Sequence, residues 1–232
     1  MAIDERLERL YQRVELVKGA GDPRTRKLCV MSFVAFLAGE GHSDRPGAAS
    51  PLVRELAVTV NDAMPAAMRQ ELKPFVPRII GTNDGRDAER AAMLRRATDA
   101  EILPRVCADF LAPRGLRGWW RASEFHGLRS RLLELTHAPT KDADHAKLGA
   151  AVAGLLCHCA AEAPDAASRT WYWEKAIDLL DRACDIRGAE PSARIDEARL
   201  HRLEKLPVRG EGPGRRRAMA DRAFACLRSF LG

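Results

Sequence analysis

Apolar residues recur at Ile3, Leu7, Leu10, Val14 and Val17, separated by 4, 3, 4 and 3 positions. That spacing keeps them on one face of a 3.6-residue turn and predicts an amphipathic helix, which Gly19, Gly21 and Pro23 bring to an end. The pattern then changes. Residues 28–38 are apolar at every position except Ser32, which predicts a helix over 24–38 buried on most sides. The run is 11 residues long, well short of the roughly 20 that a membrane-spanning helix needs. Ser50 followed by Pro51 has the chemistry of a helix start, with Ser as N-cap and Pro in the first helical position. This third helix is expected to end near Met64 and Pro65, and a short one follows over 66–72.

Pro74 and Pro77 bracket Phe75 and Val76, which favours an irregular or short helical segment over a strand. Thr82-Asn83-Asp84-Gly85 is a turn signal. It leads into a helix over 87–99 and another reaching 111, with Pro104 in its first turns. Further helices are expected over 122–136, 143–163, 168–187, 192–203 and 215–231. In the second of these, Val152, Leu155, Leu156 and Cys159 share a face. In the third, Trp173, Ile177, Leu180 and Cys184 do the same. Two consecutive strand signals never occur, so the expected fold is all-α: an irregular bundle of nine to ten helices with no significant sheet. The expected organisation is a helical subdomain over 1–112, a second over 119–206, a Gly/Pro-rich flexible link over 207–214 and a basic terminal helix over 215–232. No internal repeat at a solenoid period is present.

Composition adds limits. The chain has 232 residues, 46% hydrophobic and 30% charged, which suits a globular protein. The first residues, Met1-Ala2-Ile3-Asp4-Glu5-Arg6, are charged at once, without a signal-type apolar stretch, and this predicts a cytoplasmic protein with no membrane association. The six cysteines (Cys29, Cys107, Cys157, Cys159, Cys184 and Cys226) lack the spacing of a disulfide scaffold and are expected as reduced, mostly buried thiols. The formal net charge is +6. Ten Lys/Arg against five Asp/Glu over 191–232 place +5 of it in the tail, where any attraction to an anionic partner would centre.

Several segments together carry a resemblance. They are Leu28-Cys29-Val30-Met31 through Ala38-Gly39-Glu40, His42-Ser43-Asp44-Arg45-Pro46, Asn61-Asp62-Ala63-Met64-Pro65, Leu72-Lys73-Pro74 and Pro77-Arg78-Ile79-Ile80-Gly81-Thr82. This combination, spanning 28–111, resembles a family of bacterial proteins frequent in actinobacteria. The resemblance implies a bacterial, cytoplasmic, helical protein and assigns no catalytic residue.

The candidate chemistry lies first in Glu40, His42 and Asp44. Alternation along an extended turn would set all three on one side, with Asn61 and Asp62 as later partners. Two carboxylates and an imidazole can act as general acid and base or bind a divalent metal. The same residues suit ordinary helix-end roles, with Gly39 as C-cap and Asp44 in an Asx-turn before Pro46. No metal motif such as His-Glu-x-x-His accompanies them. Cys157-His158-Cys159 combines zinc-ligand types, but neighbours on a helix diverge by about 100° per residue and cannot converge on one ion. Cys29 lies in the most apolar helix and reads as core, not as a nucleophile. Trp119-Trp120 and Trp171-Tyr172-Trp173 lie beside Arg117, Arg121, Arg169 and Lys175, a pattern that can stack bases but more often fills gaps between helices.

These readings favour a non-catalytic helical protein that binds a protein partner or a second copy of itself, with no cofactor. The alternative from another class is an acid–base or metal-assisted enzyme whose catalytic residues are Glu40, His42 and Asp44. A weaker alternative is nucleic-acid binding through Arg215, Arg216, Arg217 and the basic tail.

Overall fold

Residues 3–111, 142–187 and 194–205, with Gly127 and Ser130, are described by the computed structural model. Helix α1 (Ile3–Tyr11) is followed by three two-residue strands, β1 (Glu15–Leu16), β2 (Gly21–Asp22) and β3 (Lys27–Leu28). They form a small sheet in the order β1-β3-β2, with β2 antiparallel to β3. This sheet corrects the expectation of a purely helical chain. Each strand is too short to display a two-residue period, so the glycines and Pro23 around it read only as a helix stop.

The buried helix also begins later than expected. Helix α2 (Val30–Leu37) starts after Cys29, whose Sγ accepts a hydrogen bond from Ser32 N–H at 3.2 Å. All of α2 is buried except Phe36, which is half-buried. Helix α3 (Pro51–Ala63) starts where the Ser50-Pro51 pair predicts, and Ser50 Oγ accepts from Val53 N–H at 3.2 Å. At its other end the buried Arg69 donates to the carbonyls of Asn61, at 2.6 Å, and Met64, at 2.8 Å. Those carbonyls would otherwise lack helical partners. Asn61 itself ties α3 to the sheet region: Oδ1 accepts from Val30 N–H and Nδ2 donates to Val17 O.

Helices α4 (Ala66–Arg69) and α5 (Val76–Ile79) are joined without a break by the 3-10 turn Gln70–Phe75. Helices α6 (Asp87–Ala97) and α7 (Leu103–Val106) are likewise continuous through the π-helical turn Thr98–Ile102, and a second π turn, Cys107–Leu111, follows. Pro104 gives a reason for the wide turn before α7. Proline has no N–H and its ring crowds the carbonyl four residues back. Leu103 N–H instead reaches Thr98 O, one residue beyond the α pattern. Helices α8 (Asp142–Glu162), α9 (Ala166–Asp185) and α10 (Glu197–Glu204) complete the described elements. Counted as unbroken runs and leaving aside the three-residue 3-10 turn Pro23–Thr25, there are eight helical segments among the described residues, fewer than the nine to ten expected. The expected helix over 122–136, apart from Gly127 and Ser130, lies outside the described residues. So do the expected helix over 215–231, the link over 207–214, Trp119, Trp120 and the Arg215 cluster.

The chain divides into two units: Met1–Glu15 with Glu197–Gly232, and Leu16–Asp196. In the first unit α1 packs on α10, and Arg6 bonds Glu197 and Glu204, each at 2.8 Å. In the second, α8 lies along α3, with α9 and α6 packed on it. The expected division at 112–119 falls outside the described residues, and helices from both sides of it, α3 and α8, share this unit. A Cβ on Gly149 of α8 would lie 2.6 Å from Leu52 O, so the two backbones meet closely there. No helix among the described residues is long and apolar enough to cross a membrane.

Candidate functional site

Glu40, His42 and Asp44 lie on the loop after α2, and the structure gives them different surroundings. Glu40 is half-buried, while His42 and Asp44 are exposed. Both Glu40 carboxylate oxygens accept backbone hydrogen bonds, Oε2 from Gly47 N–H at 2.8 Å and Oε1 from Ala48 N–H at 2.7 Å. Glu40 therefore braces its own loop. Gly39, with φ of +83°, supplies the left-handed helix end predicted for it. Among the described residues no three His, Cys, Asp or Glu side chains are grouped as a metal ion would require.

The braced loop in turn supports a second polar loop. Ala48 O accepts from Gly81 N–H at 2.9 Å, and Gly47 O accepts from Asn83 Nδ2 at 2.8 Å. Thr82 Oγ1 accepts from Ser50 N–H at 3.0 Å and donates to Ile79 O at 2.8 Å. Gly81 and Gly85 adopt φ of +86° and +78°, a region that favours glycine. This loop leads into α6 and brings Asp84 and Asp87 onto Arg90, whose residue exposure is 0%.

Arg90 is the anchor. Its guanidinium donates to both Asp84 oxygens, at 2.8 and 3.0 Å, to Asp87 Oδ1 at 3.1 Å and to Thr82 O at 2.8 Å. It also reaches the end of α9, donating to Ala183 O at 3.1 Å and to Ile186 O. A buried guanidinium is tolerated only when paired and fully hydrogen-bonded, and here it locks the loop to two helices.

Beside this frame lies a cavity of about 310 Å³ lined by Pro51, Asn83, Gly85, Asp87, Ala88 and His145. Ser50 Oγ donates to Asp87 Oδ1. His145, on α8, is only 5% exposed, and its Nε2 is buried with no hydrogen-bond partner among the described residues. Four residues further on is Gly149, whose close approach to Leu52 explains why His145 sits beside the first turn of α3: positions four apart share a helix face.

The pattern of residues along the chain does not mark this cavity. Asn83, Asp84 and Gly85 registered as a turn and Asp87 as a helix start. The available signal was Asp84, Asp87 and Arg90, spaced three apart so that two acids and a base fall together. Nothing local marked His145.

The remaining candidates are placed as packing groups. Cys157 and Cys159 are buried, and burial raises both thiols well above their ordinary range, as it does for Cys184. Cys29 is buried as the cap of α2. Tyr172 and Trp173 are core, and Tyr172 Oη donates to Asp109 at 2.9 Å. Trp171 is half-buried, with the Arg105 guanidinium 5.5 Å and the Lys175 ammonium 5.7 Å from its ring centre.

Comparison with protein-family models, with characterised proteins and with solved structures yields no match.

Proposed function

We propose that this chain is a non-catalytic helical protein that binds a partner, and that the cavity bounded by Asn83, Asp87 and His145 is where the partner engages. The observation that supports this reading is the frame around the cavity. Glu40 holds Gly47 and Ala48, these hold Gly81 and Asn83, and Arg90 holds Asp84 and Asp87. The acids of this region are acceptors for backbone, hydroxyl and guanidinium donors. They shape a preorganised surface, which favours binding by lowering the ordering cost. Cys29, Cys107, Cys157, Cys159 and Cys184 are free thiols, which accords with work in the reducing cytoplasm.

The test is site-specific photo-cross-linking in the cells that make the protein. A cross-linking amino acid replaces the exposed Ala88 at the cavity rim, and in a control replaces the exposed Glu71. A discrete adduct formed from position 88 and absent from position 71 is expected. The same adducts from both positions, or none from position 88, would overturn the assignment.

A further inference from the structure

The geometry points to a ligand class for this cavity: a primary alkylammonium group, as a lysine side chain carries. The inference rests on the reading of the cavity as a binding site. Among the described lining residues Asp87 is the one formal charge. Its Oδ1 is taken by Ser50 Oγ and Arg90, whereas its Oδ2 receives no hydrogen bond from a described residue. Asn83 gives its Nδ2 to Gly47 O, which leaves its amide oxygen as an acceptor. His145 adds a buried nitrogen that no described residue satisfies. The unmatched acceptors are thus a carboxylate oxygen, an amide oxygen and, in the tautomer that carries its proton on Nδ1, the Nε2 of His145.

An anion would find the wrong partners here. The buried Arg90 directs its donors to carbonyls and to Asp84 and Asp87, and Arg86 pairs with Glu89. An ammonium brings three donors on a compact head, matching three acceptors, whereas a guanidinium has five in a rigid fork. Its methylene stem suits the apolar surface of Pro51 and Ala88. The cavity, at about 310 Å³, is near the lower end of the roughly 300–1,000 Å³ usual for small-ligand sites, which fits one side chain.

The full-length chain is titrated with n-butylammonium, with the capped tripeptide Ac-Ala-Lys-Ala-NH2, and with butyrate, while the His145 ring signals are followed by NMR. Saturable shifts with both amines and none with butyrate are expected. Tighter binding of the tripeptide identifies a partner's lysine as the source, and tighter binding of butylammonium identifies a free amine. Asp87→Asn is expected to weaken binding about tenfold. Ala88→Trp, which fills the rim without touching the Asp87 network, is expected to abolish the shifts even if Asp87→Asn fails to fold. Equal response to butyrate, or amine shifts that survive Ala88→Trp, would overturn the ligand class. A position-88 adduct with no ammonium response refutes this inference alone. Loss of the adduct as well refutes the binding site itself.

Discussion

Two glycines on α8 set up a test in which the same substitution has opposite signs. Replacing glycine by alanine in a helix interior ordinarily stabilises by about 0.5–1 kcal/mol. At Gly154 no described atom lies within 4 Å of the added carbon, so Gly154→Ala should gain that amount. At Gly149 the added carbon would lie 2.6 Å from Leu52 O and 3.5 Å from Leu56 N. Both are backbone atoms of α3, so no side chain can rotate away. Forcing an extra carbon into a packed interface costs typically ~1–3 kcal/mol. After the helical gain, Gly149→Ala should lose roughly 1–2 kcal/mol. In a domain of this size about 2–4 °C of Tm follows each kcal/mol, so the two variants should fall on opposite sides of the wild type, separated by roughly 3–12 °C. Urea denaturation followed by circular dichroism, alongside calorimetry, reads both. If Gly149→Ala proves as stable as Gly154→Ala, the close packing of α3 on α8 is wrong, and with it the position of His145 over the cavity.

Arg90→Met removes the charge that pairs Asp84, whose side chain is 3% exposed and keeps the Arg86 N–H bond, and takes the guanidinium's hydrogen bonds from the carbonyls of Thr82, Ala183 and Ile186. Breaking a buried pair from one side costs about 3–5 kcal/mol, and a loss below about 1 kcal/mol in a denaturation curve would contradict the anchor. Glu101 tests the electrostatics of α9 through pH. Hydrogen bonds from Lys175 and then Arg182 hold its carboxyl below the usual carboxylate range. The folded chain therefore binds this proton less readily than the unfolded one, so the contribution is present above the unfolded pKa near 4.3 and is lost as pH falls through the lower folded value. The stability deficit of Lys175→Met should be evident at neutral pH and shrink below about pH 4. A deficit constant from pH 7 to pH 3 would show that Glu101 does not respond to Lys175.

What could be read from the sequence was what is decided locally. The start of α3 was legible because Ser50 and Pro51 supply cap and first turn within a few residues. The buried character of α2 was legible from its unbroken apolar run, but its first residue was not. Lys27 and Leu28 belong to a strand, and Cys29 uses its thiol as a cap. Of Glu40, His42 and Asp44, the two exposed residues share no visible local role with the first, whereas Glu40 braces the loop on which Asn83 rests, a contact that no spacing along the chain announces. The cavity itself was beyond local reading. Arg90 finds carbonyls 93 and 96 positions away, and His145 comes to Pro51 only through the pairing of α3 with α8. Neither relation leaves a periodic trace along the chain.

The reach of Arg90 constrains how this protein can vary. Inserting one residue within α9 would turn its last carbonyls by about 100° and advance them about 1.5 Å, carrying Ala183 O and Ile186 O out of register with a side chain rooted in another helix. The length of that rod is thus tied to the shape of a loop nearly a hundred residues earlier, and a change in either end of the pair survives only with a matching change in the other.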